Sequence, residues 1–373
     1  PFVKETSWTN YETSSSVLNR ALYFNGSWDF IPKHTLTGGV RLTRESNDYM
    51  FHTIDSLLSS APNNVHTGEN YYNAPKHHEN YVTGKLGYGY KPTPNTMVYG
   101  TASTGTKGVA YDMTSGANNV NVFKRLPLAP EEATSYEAGF KANLWNNRAT
   151  LNLAVFKTRF RDYQTSATER FSDGSQASVL YSIPKIQTQG FEADATALIT
   201  REFLLSANLA FTRATVVNWR QGPCYSGAKD CTVPNELVPG AFLRDASGGL
   251  MPNSPKWKTN VGGEYTLPIK SFKTAINANV RAQSKVQGAI SQDPSLKRPG
   301  HAIVDLGASI AGRSGKYKLS VGVKNLFDHH YSVGNGGTFL NFKQTSGPDI
   351  RSYGWQPARD AFRYYTARLD VNF

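Results

Sequence analysis

Several things are scarce in this chain of 373 residues, and each scarcity closes a door. No apolar run approaches the ~18 residues that a membrane-spanning helix requires, and mean hydropathy is −0.46. Only 2 cysteines are present, so no disulfide framework stands in for a core. There is no G-x-S-x-G elbow, no H-E-x-x-H pair, no phosphate-binding loop and no convincing carboxylate dyad, which removes the usual signatures of an enzyme. The balance of 40 Lys and Arg against 28 Asp and Glu gives a net charge of +12, yet no basic run of five or more exists. Recognition-helix, zinc-finger and RNA-binding aromatic patterns are missing as well, so the charge does not point to nucleic acid.

What is present is alternation. The last eleven residues run RYYTARLDVNF. Side chains on a strand alternate between two faces, so Tyr365, Ala367, Leu369, Val371 and Phe373 share one side and Tyr364, Thr366, Arg368, Asp370 and Asn372 the other. The same dyad appears in Trp257, Thr259, Val261, Gly263, Tyr265 and Leu267 against Lys256, Lys258, Asn260, Gly262, Glu264 and Thr266. It recurs in Tyr317, Leu319, Val321 and Val323 against Lys318, Ser320, Gly322 and Lys324. Aromatics are plentiful, with 20 Tyr and 19 Phe.

The pattern predicts strands over 15–30, 36–52, 78–92, 96–112, 133–145, 149–168, 177–197, 203–219, 255–268, 272–289, 302–312, 317–335 and 361–373. Their connections alternate in length. Short ones fall at Pro32-Lys33-His34-Thr35, Thr93-Pro94-Asn95, Asn146-Asn147-Arg148, Thr200-Arg201-Glu202, Ile269-Lys270-Ser271 and Arg313-Ser314-Gly315-Lys316. Long ones fall at 53–77, 113–132, 169–176, 220–254, 290–301 and 336–360. A meandering antiparallel barrel gives tight turns at one rim and long loops at the other, and its lipid-facing and lumen-facing residues average to a polar sequence. The expected fold is therefore all-β, an antiparallel transmembrane β-barrel of about 13–14 strands. A soluble sandwich would share the one-sided apolar faces but not the alternating connections or the strand lengths.

Particular segments resemble the C-terminal barrel of TonB-dependent outer-membrane receptors. Leu128-Ala129-Pro130-Glu131-Glu132-Ala133-Thr134-Ser135-Tyr136-Glu137-Ala138-Gly139-Phe140-Lys141 is similar to that family's "PE…SYE-G-K" strand start, and Asn147 to Phe156 to the hairpin after it. Gly190-Phe191-Glu192 resembles its "GFE" strand, and Pro252-Asn253-Ser254-Pro255-Lys256-Trp257 its "P-x-x-P-K-W" strand opening. Gly322 to Tyr331 is similar to the late "NLFD-x-x-Y" motif, and Phe373 to the terminal aromatic. The resemblance covers 128–373 by motif and 15–127 by hairpin rhythm.

The resemblance implies an N-terminal plug inside a 22-stranded barrel of the outer membrane. The chain starts at Pro1 without initiator Met, signal peptide, TonB box or plug, and the expectation is a C-terminal part lacking the plug and about eight strands. A complete fourteen-stranded pore is the alternative. The implied activity is active import of a scarce solute, a ferric siderophore first, by a monomer. The implied partners are the TonB–ExbB–ExbD energy-coupling complex, outer-membrane lipid and the barrel-assembly machinery. A passive porin is the competing function. No cofactor is expected.

The ligand-binding candidates lie on loops and upper strands: Tyr71, Tyr72, Trp219, Arg220, Tyr225, Arg244, Arg351, Tyr353, Trp355 and Arg359. Arg offers charge-assisted donors to an anionic chelate, and Tyr and Trp offer flat contact at low entropic cost. Cys224 and Cys231 bracket six residues in the longest loop and read as a local disulfide formed in an oxidising compartment. Two thiols are only half of a tetrahedral metal set. Neighbours on a strand point apart, so neither His77-His78 nor His329-His330 chelates as a pair, and the family's haem motifs are absent. Tyr365, Leu369, Val371 and Phe373 are expected to form the signal read during barrel assembly.

Overall fold

The dyads pair into hairpins, and the hairpins into one sheet. The structure, a computed structural model, describes residues 6–58, 67–112, 126–170, 176–225, 228–235, 242–267, 269, 272–312, 315–342 and 350–372. The strands are β1 (Thr6–Ile31), β2 (His34–Leu58), β3 (Thr67–Thr93), β4 (Thr96–Lys107), β5 (Glu131–Leu144), β6 (Ala149–Arg170), β7 (Gln176–Leu198) and β8 (Phe203–Asn218). A two-residue ribbon follows, β9 (Val233–Pro234) with β10 (Phe242–Leu243). Next come β11 (Trp257–Leu267), β12 (Phe272–Gln283), a second ribbon of β13 (Val286–Gln287) with β14 (Lys297–Arg298), β15 (His301–Gly312) and β16 (Tyr317–Lys324). A longer ribbon pairs β17 (Ser332–Phe342) with β18 (Ile350–Pro357), and β19 (Tyr364–Val371) ends the sheet.

The wall is a 13-stranded antiparallel sheet in the order β1-β2-β3-β4-β5-β6-β7-β8-β11-β12-β15-β16-β19. Every wall strand pairs with its wall neighbours in sequence, and the three ribbons lie in the loops at one rim. Among the described residues no ladder joins β1 to β19. No helix among the described residues is long and apolar enough to cross a membrane.

Register turns local dyads into one apolar surface. Leu22 faces Leu42, and Leu42 faces Val82. Leu86 faces Ala102, Ala102 faces Tyr136, and Ala138 faces Val155. Val155 leads to Phe191 and on to Phe211 and Trp257. Val261 continues to Val280, Val304 and, one dyad along, Leu306 to Val323 and Tyr365. Leu22 is 74% exposed, Val82 67% and Val155 57%, so no protein covers this face. Such a band matches the lipid-facing side of an outer-membrane barrel, where burial in hydrocarbon replaces burial in a core. Aromatics gather at its edges: Trp28, Phe30, His34, Tyr88 and Tyr90 by the short turns, and Phe191, Phe211 and Trp257 by the loops, with ring centroids 4.7 to 5.8 Å apart in the second group. Tyr365, Leu369 and Val371 belong to the same face through their partners Val323, Leu319 and Tyr317; Phe373 lies outside the described residues.

A tilted spanning strand needs ~9–11 residues. β1, β2 and β3 have 26, 25 and 27, so they project well beyond the membrane on the loop side. The expected loop 53–77 is therefore mostly strand, because ladder pairing from Tyr49 to Ser56 carries the hairpin past the bilayer. In the other direction, the strand expected over 317–335 stops at Lys324. Asn325 takes φ 51 and Asp328 φ 52, left-handed backbone that turns the chain out of the sheet. The strand expected over 272–289 likewise stops at Gln283.

Two motif glycines stand where a Cβ has no room, one under a side chain and one against a neighbouring backbone. The Tyr99 ring lies over Gly139, where an added Cβ would come within 2.4 Å of it. The Tyr99 hydroxyl then donates to Glu137 Oε1 at 2.7 Å, so the "SYE-G" pattern encodes a Tyr seat. At Gly190 a Cβ would meet the Phe211 carbonyl oxygen at 1.9 Å.

Candidate binding site

The polar face carries charged side chains at regular register. Asp194 faces Asn208, Asn208 faces Asn260, and Asn260 faces Arg281 across β7, β8, β11 and β12. Asn279 faces Asp305 and Gln283 faces His301 on β15. These strands line a cleft of about 750 Å³ with Glu192, Asp194, Lys258, Arg281 and His301 on its wall, and Asn253, Arg298 and Tyr331 at its loop end. Asn208 Nδ2 donates to Asp194 Oδ1 at 2.6 Å. Glu192 and Lys258 make no ion pair among the described residues, leaving one charge of each sign open to a polar occupant.

One end of the cleft is locked by a charge network. Arg281 donates to Asp360 Oδ2 at 2.7 Å and lies 3.5 Å from Asp305. Lys324 Nζ reaches Asp305 at 3.2 Å, and the Asn325 backbone N–H donates to its other oxygen at 3.0 Å. Tyr331 donates to Asp360 Oδ1, and its ring stacks on His301 at 4.1 Å. Burial acts to raise the Asp360 carboxyl, but hydrogen bonds from Tyr331 and Arg281 outweigh it and hold the group below the ordinary carboxylate range. Burial, then the bond to Asp360, pushes the Tyr331 hydroxyl up to about 12. Asn325, fully buried, donates to the carbonyls of His329 at 3.0 Å and Asp360 at 3.2 Å and accepts from the His329 N–H at 2.8 Å. The "NLFD-x-x-Y" segment is thus the joint between wall and outer loop.

Three outer loops, 219–256, 284–300 and 325–363, are stitched together by two arginines. Arg298 donates to Asn253 Oδ1 at 2.5 Å in the first loop and to the Val333 carbonyl in the third. It is 7% exposed, and that burial lowers its pKa. Arg244 pairs with Asp230 at 2.7 Å, donates to the Ser291 carbonyl at 3.0 Å and lies over the Tyr225 ring at 5.5 Å. Cys224 and Cys231 form a disulfide with Cα atoms 6.1 Å apart, clasping the same tip. Nearby, Asp245 is held low by hydrogen bonds from Ser247.

The sequence candidates separate into groups. Trp219, Arg220, Tyr225 and Arg244 share loop 219–256. Trp219 is only 3% exposed: it packs with Val179, Ile183, Ile186, Val216, Ala246 and Ile290 and meets Tyr181 edge-on at 5.6 Å. Its apolar area and β-strand neighbours make it a pillar under the loop rather than an open contact. Arg220 is exposed beside a cleft of about 550 Å³ that Tyr181, Asn235 and Leu243 also line. Arg244 already has a carboxylate, a carbonyl and a ring as partners. Trp355 borders a different cleft, of about 430 Å³, with His301, His330 and Tyr331, and Arg359 is exposed beyond it. Tyr71 and Tyr72 lie in β3, and Arg351 and Tyr353 in β18. No single described cleft gathers all of them. Sequence reading missed Asp305, Asp360, Arg281 and Arg298; Asn253 and Asn325, which anchor them, did carry a signal, being motif residues. Among the described residues no group of three or more His, Cys, Asp or Glu could hold a metal ion.

Comparison with known proteins agrees with this architecture. The family described as "TonB dependent receptor-like, beta-barrel" matches residues 3–326. The chain is 22% identical over 280 residues to the probable TonB-dependent siderophore receptor PiuA of Acinetobacter baumannii, covering 74% of this chain and 33% of that one. It is 22% identical over 338 residues to the pesticin receptor of Yersinia pestis, covering 89% and 41%. Among solved structures, the ferric yersiniabactin uptake receptor FyuA of Yersinia pestis superposes with a TM-score of 0.69 at 16% identity, over 98% of this chain and 47% of that one. The chain therefore spans less than half the length of each of these relatives, from 33% to 47%. The match over most of its length, with the lipid-facing band and alternating rims, makes it an outer-membrane barrel wall and not an enzyme: the chain belongs to the TonB-dependent receptor β-barrel family.

Proposed function

We infer that this chain is the C-terminal part of the wall of an energy-coupled importer, and that the solute is a metal chelate, a ferric siderophore first. The observation that carries the reading is the collar of three interlocked loops standing over a polar, charge-lined cleft on the inner face. A porin needs an open mouth, whereas a receptor gains from loops ordered before the solute arrives. The names of the similar proteins, a siderophore receptor and a metal-pseudopaline receptor of Pseudomonas aeruginosa, support a chelate as cargo. On this reading a plug completes the site, and the TonB–ExbB–ExbD complex supplies the work of release. Tyr365, Leu369, Val371 and Phe373 present the terminal strand to the assembly machinery. The ligand candidates with free surface, Arg220, Trp355 and Arg359, are first in line for contact.

The test is uptake of radio-iron by cells whose only receptor is the full-length protein, with a panel of ferric siderophores. Uptake of at least one chelate that stops when TonB is deleted is the expected result. Uptake that persists without TonB and scales linearly with solute concentration identifies a porin instead.

A further inference from the structure

On the inner face of β1 to β4, far from the charge-lined cleft, two neighbouring cations have no acid. The register sets Tyr23 opposite Arg41 and Arg41 opposite Thr83. One row nearer the short turns, Asn25 faces Gly39, Gly39 faces Lys85, and Lys85 faces Ser103. Arg41 thus stands two residues along from Gly39 on the same strand, and Lys85 stands directly across from it. Diagonal neighbours of this kind are roughly 7–8 Å apart, within reach of two long side chains. Gly39 has no side chain, so the floor between the cations is open, and a recess of about 630 Å³ lies over it. Ser27 and Thr37, one row further on, add hydroxyls to its wall. The first acids along this face of β1, β2 and β3 already have partners. Asp29 accepts from Thr35 at 2.5 Å, Glu45 from Asn47 at 2.8 Å, and Glu79 lies 3.2 Å from His77. Arg41 Nε donates to Thr43 at 3.1 Å. Among the described residues neither Arg41 nor Lys85 meets a carboxylate.

These rows stand level with the Leu22–Leu42 and Phe24–Val40 pairs of the lipid side, so both charges lie at membrane depth inside the wall. A recess lined by charge of one sign, between walls of low dielectric, concentrates its field and draws in counter-ions. The two cations repel each other until an anion comes between them. The guanidinium of Arg41 offers a planar fork that takes both oxygens of a carboxylate, and the ammonium of Lys85 adds a point charge. We propose that this recess is a binding site for a carboxylate-bearing solute, seated over Gly39 between Arg41 and Lys85. The proposal rests on the reading of the chain as an importer and deepens it. The cargo bears negative charge, and the wall holds it a second time, at membrane depth, after it leaves the collar.

The experiment dialyses the full-length receptor, in nonionic detergent, against radiolabelled citrate, with the uncharged triethyl ester of citrate as control. The parent is expected to bind citrate and not the ester, and an Arg41→Gln, Lys85→Gln double variant to lose roughly tenfold or more in affinity. Gly39→Leu keeps both cations but fills the floor between them, and should lose as much. Arg41→Lys keeps the charge and should retain most of the binding; these two variants carry the comparison if the Gln variant assembles poorly. No citrate bound by the parent, equal binding of the ester, or unchanged affinity in the Gln and Leu variants overturns the proposal. A parent that binds no citrate, with a Gln variant that unfolds at lower temperature, overturns it too, because a carboxylate of the receptor itself then occupies the pair. In cells, the Gln variant should slow entry of radio-iron from a negatively charged chelate by roughly threefold or more, and from an uncharged one by less. Equal slowing of both overturns the role in transit. Uptake by the parent that persists without TonB sinks the importer reading instead, and the citrate result still decides the site.

Discussion

Arg281, in wall strand β12, donates to Asp360, just ahead of β19, at 2.7 Å across 79 residues of sequence. Around that contact Asp305, Lys324, Tyr331 and Asn325 close a network that fixes how the loop 325–363 leaves the wall and rejoins it. Asn325 has no exposed surface and fills all its hydrogen-bonding roles within the protein. Replacing it by Ala orphans two carbonyls and an N–H and leaves a non-glycine at positive φ without its local bond. The expected cost is roughly 2–3 kcal/mol. Heat-modifiable gel mobility of the purified variant measures it, and a loss of about 0.5 kcal/mol or less would mean the joint is dispensable.

The same network has a pH window. Asp360 is depressed in the folded state, so its contribution is complete above the ordinary value of 3.8 and fades as pH falls through the lower folded value. Tyr331 is raised from 10.0 to about 12, so its contribution is complete below 10.0 and fades as pH climbs toward about 12. Protease access to the loop should therefore stay low from about pH 4 to about pH 10 and rise on both sides. In Asp360→Asn the acid limb should vanish. A parent whose loop opens near pH 6 would point to a histidine instead.

The two faces can be told apart by charge. Val321 is 49% exposed on the apolar side, between Ala308 and Ala367; Ser320 lies on the other side, opposite Ser309 and Arg368. Val321→Arg should cost ~2–4 kcal/mol of barrel stability. Ser320→Arg should cost far less, since water is at hand and Arg368 already leans on Asp370 at 2.6 Å. Equal losses in a denaturant titration would mean that the faces are not lipid and lumen.

At the tip of loop 219–256, Cys224→Ser with Cys231→Ser should leave the wall inserted, because Arg244, Asp230 and the β9–β10 ribbon lie outside the transmembrane strands. Chelate affinity should fall three- to thirtyfold, or ~0.7–2 kcal/mol. Cell-surface binding against the parent is the measurement. Unchanged affinity makes the clasp a bystander; failed insertion makes it a folding element.

The wall was legible because lipid imposes one rule on every strand. Val261, Val280, Val304 and Val321 all repeat at a period of two, and their hairpins differ only in where the short turn falls. The rim obeys no such rule. Trp219 looks like a solute contact in a loop, yet the strand β7 residues Val179, Tyr181 and Ile183 extend above the membrane and bury it. Val333 and Trp355 read as strand and loop in sequence, but the left-handed turn at Asn325 puts both in a ribbon of their own. The partners of Arg298 are 45 and 35 residues away in sequence, and periodicity holds no information about contacts of that kind.

Arg298 leaves the rim with fewer independent motions than it has loops. With one hand on Asn253 and the other on Val333, it couples two loops through a third, and Arg244 repeats the stitch at Ser291. On the proposed function, a solute that displaces any one of these segments would have to drag the others, so the rim should move as a plate rather than as separate fingers. Such a plate responds to where it is pushed hardly at all and to whether it is pushed almost completely. Cutting the stitch with Arg298→Met would release loop 325–363 from the other two, which Arg244 still ties together at Ser291.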